Sequence, residues 1–189
     1  MSFYSIENIV IPEDVQKAII SGINQPNLGI KADGDKIDKK YVHKYWDENV
    51  VISNVSAVDE EKKIFRVKLI IDTTHKFFFD HSLKHVPGIL MLEASRQFAT
   101  AVSHLYFGAP FNSQFILHSL GTTFTAEADA EYDVLMDGMI FDIVLRKREL
   151  RKMKGVAYIH QNNKVVGSVA SAWSIVPADV LARLGNKFH

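Results

Sequence analysis

The stretch that decides the fold runs from residue 77 to residue 110 and reads FFFDHSLKHVPGILMLEASRQFATAVSHLYFGAP. It predicts one long helix from Pro87 to about Phe107, because proline suits the first turn of a helix and Gly108 with Pro110 marks its end. Apolar residues cover most of the circumference of this helix. Such a helix must be enclosed by other elements of the fold.

Strand candidates flank the helix on both sides. Two precede it, joined by an acidic turn that starts at Asp59, and four follow it; they span residues 50–55, 64–71, 114–125, 131–147, 155–161 and 165–176. The last two join at Asn162-Asn163, a pair that tolerates the positive φ of a tight turn. This order predicts an α+β fold in which a curved antiparallel sheet wraps around one long central helix.

The first 36 residues are predicted to form an N-terminal leader. Residues 12–23 predict a short helix, with Pro12 and two acidic residues at its start and a stripe of aliphatic side chains along one side. Residues 24–36 contain proline and glycine and predict an irregular connection. The leader is too short for a second domain, so we expect residues 37–189 to form the single domain.

The composition excludes several classes of protein and of site. The chain has 189 residues, and its 47% hydrophobic content excludes a disordered chain. Its 22 basic and 22 acidic residues balance, so no overall field attracts nucleic acid, and the lack of cysteine excludes disulfides and thiolate metal sites. With no secretion signal and no apolar run of membrane-spanning length, we expect a soluble, cytoplasmic protein without nucleic-acid or membrane partners.

Polar side chains are ordered along the predicted helix. Glu93, Gln97, Thr100 and His104 share one face, and Arg96 lies beside them. They could form the solvent side of an amphipathic helix. Because the rest of the helix is apolar, a semi-enclosed site is the other interpretation. There a carboxylate and a guanidinium can pair, and their surroundings can shift a pKa.

The loop before the helix offers aromatic rings and histidines. Phe77, Phe78 and Phe79 either line an apolar channel or pack in the core. A metal site needs its ligands on one side of a helix at this spacing, and Pro87 disfavours a helix here. We therefore expect no metal on the possible ligands, which are His75, Asp80, His81 and His85. For His85, a solvated loop position is the alternative to a functional role.

Two motifs in this order resemble the A-factor biosynthesis (AfsA-type) family of hotdog proteins. One is the Asp-His-x-x-x-His-x-Pro-Gly loop at residues 80–88, and the other is the Leu-Glu-Ala-x-Arg-Gln helix segment at residues 92–97. Val-His-Lys at residues 42–44, followed by Glu-Asn-Val at residues 48–50, is similar to that family's motif before its first strand. The resemblance covers residues 41–177 and implies a hotdog fold for the domain at residues 37–189.

The resemblance also implies a reaction. The family is associated with joining a β-ketoacyl group from an acyl-carrier thioester to dihydroxyacetone phosphate, which yields a γ-butyrolactone precursor. Glu93 would be the base if enclosure raises its pKa, Arg96 would hold phosphate or oxyanion, and His81 would share the proton transfer. Backbone amides near Gly88 would polarise the carbonyl. Further candidate substrate contacts are Gln97, Phe78, Phe79, His85 and His43. The carrier-protein or CoA thioester is a substrate, and no cofactor is expected.

Other activities on the same fold stay open. Hotdog 3-hydroxyacyl dehydratases share a shorter version of the pattern, with an acid–base pair at the positions of His81 and Glu93. They carry a small residue where this sequence has Arg96, which favours acyl transfer over dehydration. A dehydratase or a thioesterase is the enzymatic alternative, and a non-catalytic acyl-binding protein is the alternative of another class.

The single repeat predicts an assembly. Members of the family usually carry two hotdog repeats, whereas this chain has room for one. One repeat leaves its active-site half open, so we expect a homodimer with two symmetric sites. The basic stretch RKRELRKMK at residues 146–154 is either a solvated hairpin turn or a docking surface for an acidic acyl-carrier protein or for CoA phosphates.

Overall fold

A computed structural model describes residues 5–6, 9–24, 34–146, 149–178 and 180. The described residues form two α-helices and eight strands. In chain order these are β1 (Ser5–Ile6), β2 (Ile9–Val10), α1 (Glu13–Asn24), β3 (Ser56–Asp59), β4 (Ile64–Lys68), α2 (Gly88–Leu105), β5 (Ser113–Phe124), β6 (Leu135–Arg146), β7 (Glu149–Gln161) and β8 (Lys164–Pro177). Short 3-10 turns at Lys39–Val42 and Asp47–Asn49 lie between α1 and β3.

Six strands form one antiparallel sheet in the order β3-β4-β6-β7-β8-β5. The helix α2 lies inside the curve of this sheet, where Ala94, Phe98 and Val102 are buried in the main core. Gly138 on β6 permits the close approach, because a Cβ at this position would lie 2.4 Å from Cε1 of Phe98. The predicted curved antiparallel sheet around one long helix is confirmed.

The helix α1 covers the opposite face of the sheet. Its residues Val15, Ile19 and Ile23 are buried in a second apolar cluster that includes Met139 and Tyr158. The helix predicted at residues 12–23 is therefore confirmed. Residues 25–33 lie outside the described part of the chain, and the domain boundary at residue 37 stays a prediction.

The strand predicted at residues 50–55 is wrong. This segment is extended but makes isolated bridges instead of a ladder, and the first strand of the hairpin is β3. Residues 50–52 are buried, and the N–H of Val51 donates to the side chain of Gln97. The N–H of Ser53 donates to the carbonyl oxygen of Lys68, and the carbonyl oxygen of Val51 accepts from the N–H of Ile70. This buried run therefore satisfies its backbone through isolated strand-like bonds together with one side chain of the helix.

The hairpin of β6 and β7 also differs from the prediction. β6 begins at Leu135 and not at residue 131, and β7 begins at Glu149 and not at residue 155. The described part of the basic stretch at residues 146–154 is strand, because Leu150 and Met153 are buried in the core and hold it there. Residues 147–148 lie outside the described part of the chain.

Within the described residues, no helix combines the length and the apolar character needed to cross a membrane.

Candidate active site

A cavity of about 630 Å³ opens beside α2, toward strands β5 and β8. The charged side chains among its lining residues are Lys44, Glu93 and Arg96. The remaining wall is mostly apolar and includes Phe77, Phe78, Leu92, Phe115, Leu117 and Leu120. A concave apolar site with a few convergent polar groups is the usual form of a small-molecule site.

Glu93 lies at the centre of an ionic cluster on the cavity wall. Arg96 holds both carboxylate oxygens, with Nε 2.9 Å from Oε2 and Nη2 2.8 Å from Oε1. Nζ of Lys44 and Nε2 of Gln97 each lie 2.8 Å from the same Oε1. Arg96 also donates from Nη2 to the carbonyl oxygen of Val42 at 3.1 Å. The structure thus brings Glu93 and Arg96 together and adds a second cation.

The cations set the protonation state of Glu93. Burial alone would raise the pKa of this carboxyl, but Arg96, Lys44 and Gln97 outweigh burial and lower the pKa to about 2. The condition under which Glu93 would be the base, a pKa raised by enclosure, is therefore not met in this arrangement. While both cations hold it, the carboxylate is ionised at neutral pH and is a weak base.

Lys44 is the residue of the cluster that sequence reasoning missed. The 3-10 turn at Lys39–Val42 ends at His43, whose φ of 54° is left-handed. This turn leads the chain toward α2, where the side chain of Lys44, 25% exposed, reaches Glu93. The Val-His-Lys motif at residues 42–44 contains the signal that could have identified it.

Gln97 ties the segment before β3 to α2. It is fully buried, and its Nε2 donates to Glu93 and to the carbonyl oxygen of Asn49, the latter at 2.7 Å. Its Oε1 accepts from the N–H of Val51 at 3.0 Å. Both N–H bonds of the amide are used within the chain, and Gln97 does not line the cavity. In this geometry Gln97 holds Glu93 and the chain before β3 in position, and its role as a substrate contact stays a prediction.

His43 and His104 form a pair further along the same helix face. Nδ1 of His104 lies 2.7 Å from the carbonyl oxygen of Ala109, which assigns a proton to that nitrogen. Nε2 of His104 then accepts from Nε2 of His43 at 2.9 Å. Burial lowers the pKa of both rings, and His104 and Arg96 add to this effect at His43. The ring of His43 contacts Phe115, which lines the cavity, but His43 itself is not a lining residue.

The aromatic residues of the loop divide between core and cavity. Phe78 is buried where the core meets the cavity, the exposed Phe77 lines the same wall, and Phe79 packs partly buried against the core. Gly88 begins α2 after Pro87, which supplies no side-chain cap. The first N–H groups of the helix therefore stay available for a ligand at this end.

The loop histidines lie elsewhere. His81 is exposed, His85 is bridged to Asp129, and neither lines the cavity of this chain. Their functional roles stay predictions. His75 is held by Asn49, whose Oδ1 lies 3.2 Å from Nε2 of the ring. Among the residues that the structure describes, no group of three His, Cys, Asp or Glu side chains could hold a metal ion.

A long helix inside a curved antiparallel sheet, with an apolar cavity and an ionic cluster on that helix, defines the class. This is a hotdog protein, the fold of the acyl-thioester proteins that its sequence motifs resemble. The chain belongs to the A-factor biosynthesis hotdog domain family, whose model matches residues 29–177.

Several solved structures are similar to this chain, and the first of the three named here supports the hotdog fold. A putative thioesterase from Lactococcus lactis superposes with a TM-score of 0.51 at 16% identity, covering 67% of this chain and 93% of that one. A putative thioesterase from Ralstonia eutropha gives 0.48 at 15% identity, covering 64% and 83%. A thioesterase from Haemophilus influenzae gives 0.47 at 12% identity, covering 74% and 82%. A search of curated proteins finds no matching sequence.

Proposed function

We propose that this protein transfers an acyl group from a thioester to the hydroxyl group of a phosphorylated acceptor. The family suggests a β-ketoacyl group and dihydroxyacetone phosphate as substrates, in the synthesis of a γ-butyrolactone-type signal. The observation that carries the proposal is an apolar cavity whose ionic wall holds two cations, Lys44 and Arg96, against one carboxylate. Membership of the A-factor biosynthesis hotdog family supports it.

The apolar wall suits an acyl chain. Phe78, Leu92, Phe115 and Leu120 offer hydrocarbon surface along the cavity. Burial of one methylene group contributes about 0.8 kcal/mol. A chain of medium length would therefore bind this wall without specific polar contacts, and the thioester carbonyl would lie toward the polar end.

The proposed step balances without a further reactant. The hydroxyl oxygen of the acceptor bonds to the thioester carbonyl carbon, the carbon–sulfur bond breaks, and the hydroxyl proton passes through a base to the released thiol. Uncapped N–H groups near Gly88 would stabilise the oxyanion. Glu93 is the carboxylate in the cavity lining and serves as the base; it gains basicity when a substrate draws a cation away from it.

Thioester hydrolysis is the second candidate, because water could attack the same carbonyl carbon in the same cavity. Dehydration has less support, because Arg96 stands where the dehydratases carry a small residue. The exposed His81 does not line the cavity of its own chain, so that acid–base pair would have to form across a dimer interface. A cation pair has no evident role in the chemistry of either neutral reaction. It suits an anionic acceptor.

Product analysis tests the proposal. Purified protein is incubated with a medium-chain β-ketoacyl CoA thioester, with and without dihydroxyacetone phosphate, and the products are identified by mass spectrometry. We expect an acylated phosphate ester, formed about a hundredfold more slowly by Glu93→Gln. Glu61→Gln, which changes an exposed carboxylate between β3 and β4, is the matched control and should leave the rate unchanged.

Three outcomes would overturn the proposal. Free acid without ester would indicate a thioesterase. Conversion of a 3-hydroxyacyl CoA thioester, offered in a parallel incubation, to the 2-enoyl product would indicate a dehydratase, since a β-ketoacyl group has no hydroxyl group to eliminate. Thioester binding without any product would indicate a non-catalytic acyl-binding protein.

We also infer a homodimer in which a second copy closes the cavity. β5 pairs with β8 along one edge, and among the described strands its other edge has no partner. Leu117 and Leu120 on β5 line the cavity and are 55% and 45% exposed. Pairing of β5 with β5 of a second copy would cover these side chains.

The acyl donor is either a CoA thioester or an acyl-carrier protein. Binding of a carrier protein requires unpaired cations on this chain for its acidic surface. The basic end of the β6–β7 hairpin offers Arg151 and Lys154, but they pair with Glu149 and Asp142. These internal ion pairs weaken the attraction for an acidic partner. We therefore expect a modest, salt-sensitive affinity for carrier protein, measurable by titration at two salt concentrations.

A further inference from the structure

The two cations of the site have donors to spare. Lys44 has one recorded bond, to Oε1 of Glu93, whereas an ammonium group carries three N–H bonds. Arg96 uses Nε and Nη2 for Glu93 and Val42. Its Nη1 group has no partner among the described residues. The cluster can therefore accept a further anion without first being dismantled.

The charge balance of the cavity also favours an anion. Two cations face one carboxylate, and the other lining residues carry no charge. The surrounding wall is largely apolar, which strengthens the attraction of the uncompensated charge for an anionic group. A neutral acyl thioester does not use this excess of charge.

From this geometry we infer that Lys44 and Arg96 form a binding site for the phosphate group of a phosphate ester, and that Glu93 competes with this phosphate for the two cations. The inference deepens the proposed function, on which it rests for the origin of the phosphate. A phosphate ester presents more acceptor oxygens and more negative charge than a carboxylate, so it can bridge both cations. Lys44 and Arg96 would then share their donors between phosphate and Glu93.

The competition links binding to chemistry. As Lys44 turns from Glu93 to the phosphate, the carboxylate loses part of the stabilisation of its charged form. Glu93 then accepts the proton of the acceptor hydroxyl more readily. The phosphate would thus both anchor the acceptor and prepare the base, and linkage requires that removal of the Glu93 charge strengthen phosphate binding.

Two sources could supply the phosphate. It could belong to the acceptor, or to the phosphopantetheine arm of the donor. Calorimetric titration separates them with two pairs of probes: glycerol 3-phosphate against glycerol, and 4′-phosphopantetheine against pantetheine. We expect wild-type protein to bind the phosphorylated member of the responsible pair and not its unphosphorylated counterpart.

Variants test the two parts of the inference. Lys44→Met should weaken binding of the phosphorylated probe about tenfold or more, and Lys44→Arg should retain most of it. Glu93→Gln should bind the probe about tenfold more tightly, because the competing charge is gone. Lys62→Met, which removes an exposed lysine that also pairs with a carboxylate, is the control and should bind as the wild type does.

The inference is overturned if Lys44→Met binds the phosphorylated probes like the wild type while its melting temperature is unchanged. It is also overturned if Glu93→Gln binds them more weakly, or if no phosphorylated probe is preferred over its counterpart. These titrations need no turnover. If the protein hydrolyses thioesters, the proposed transfer is refuted. If it also binds phosphate in a Lys44-dependent way, this inference still holds.

Discussion

Four donors reach the two carboxylate oxygens of Glu93, and three of them converge on Oε1. The first role of Glu93 is therefore structural: its negative charge positions the donors around it. It fixes Arg96 against Val42, draws Lys44 onto the cavity wall and orients the amide of Gln97. Replacing it therefore removes the proposed base and loosens a cation pair at once, which is why binding and turnover must be measured separately.

The low pKa of Glu93 predicts a pH dependence of stability. Because the folded-state pKa of about 2 lies below the ordinary value of 4.5, the charged form stabilises the fold above about pH 4.5, and this contribution is lost as the pH falls toward 2. Its upper limit is about 3 kcal/mol, before solvent screening reduces it. Urea unfolding of wild type and Glu93→Gln at pH 7, 4 and 3 measures it.

We expect the free energy of unfolding to fall more steeply with acid in the wild type than in Glu93→Gln. Glu61→Gln should follow the wild type, since its carboxylate is exposed. Parallel curves for wild type and Glu93→Gln would show that the ion pairs do not stabilise the fold.

At the residue scale, sequence reasoning identified Glu93 and Arg96 because three-residue spacing on a helix places side chains together. It did not identify Lys44 as their partner, because the contact joins α2 to a segment far away in sequence, although the motif at residues 42–44 marks that segment. Burial opposes the lowering of the pKa of Glu93; Arg96, the predicted partner, contributes most to the lowering, and Lys44 and Gln97 add to it. The condition that enclosure raises this pKa is therefore not met, although the predicted pair is present.

At the scale of elements, α2 was predictable because proline and glycine punctuate an almost wholly apolar stretch. Its polar stripe does not face solvent: Gln97, Thr100 and His104 are buried, Thr100 beside the cavity and the other two against the chain before β3. The strand at residues 50–55 was also mispredicted, because its apolar pattern reflects burial in the core and not membership of a strand. A buried apolar run looks alike in sequence whether its backbone forms a ladder or, as here, combines isolated bridges with a bond to a side chain such as Gln97.

The contact between α2 and β6 gives a prediction for an element. Gly138→Ala should lower the free energy of unfolding by about 1–3 kcal/mol, because the added Cβ would lie 2.4 Å from Cε1 of Phe98 and the ring must shift. Gly34→Ala is the control, since nothing lies within 4 Å of its added Cβ. Urea unfolding of both variants measures the difference.

Adding Phe98→Leu to Gly138→Ala should recover part of the loss if the clash is its cause. Equal stability of Gly138→Ala and Gly34→Ala would contradict the described packing of the helix on the sheet.

At the scale of the whole molecule, the order of elements and the two motifs predicted a curved sheet around one helix. They did not predict that β5 lies at the sheet edge with apolar residues of the cavity on it. That placement depends on the pairing of β5 with β8 across a long sequence separation. β5 therefore both lines the cavity and forms the edge through which we propose that two copies pair.

This placement predicts a dimer that depends on β5. We expect light scattering after size exclusion to give twice the chain mass of 21.4 kDa at micromolar concentration. Leu120→Asp should shift the protein toward monomer, since it would bury a charge in the interface. Leu145→Asp, at an exposed leucine of β6, is the control. A stable wild-type monomer would contradict the proposed closure of the cavity.

The most direct test of acyl transfer asks where the acyl group goes. The protein is given a β-ketoacyl CoA thioester and dihydroxyacetone phosphate in water enriched in oxygen-18, and the acyl products are analysed by mass spectrometry. We predict that the acyl group appears mainly in a phosphate-containing ester without the heavy isotope in its new ester linkage. Free acid carrying oxygen-18 as the main product, at the same rate with or without the acceptor, would contradict acyl transfer and establish hydrolysis.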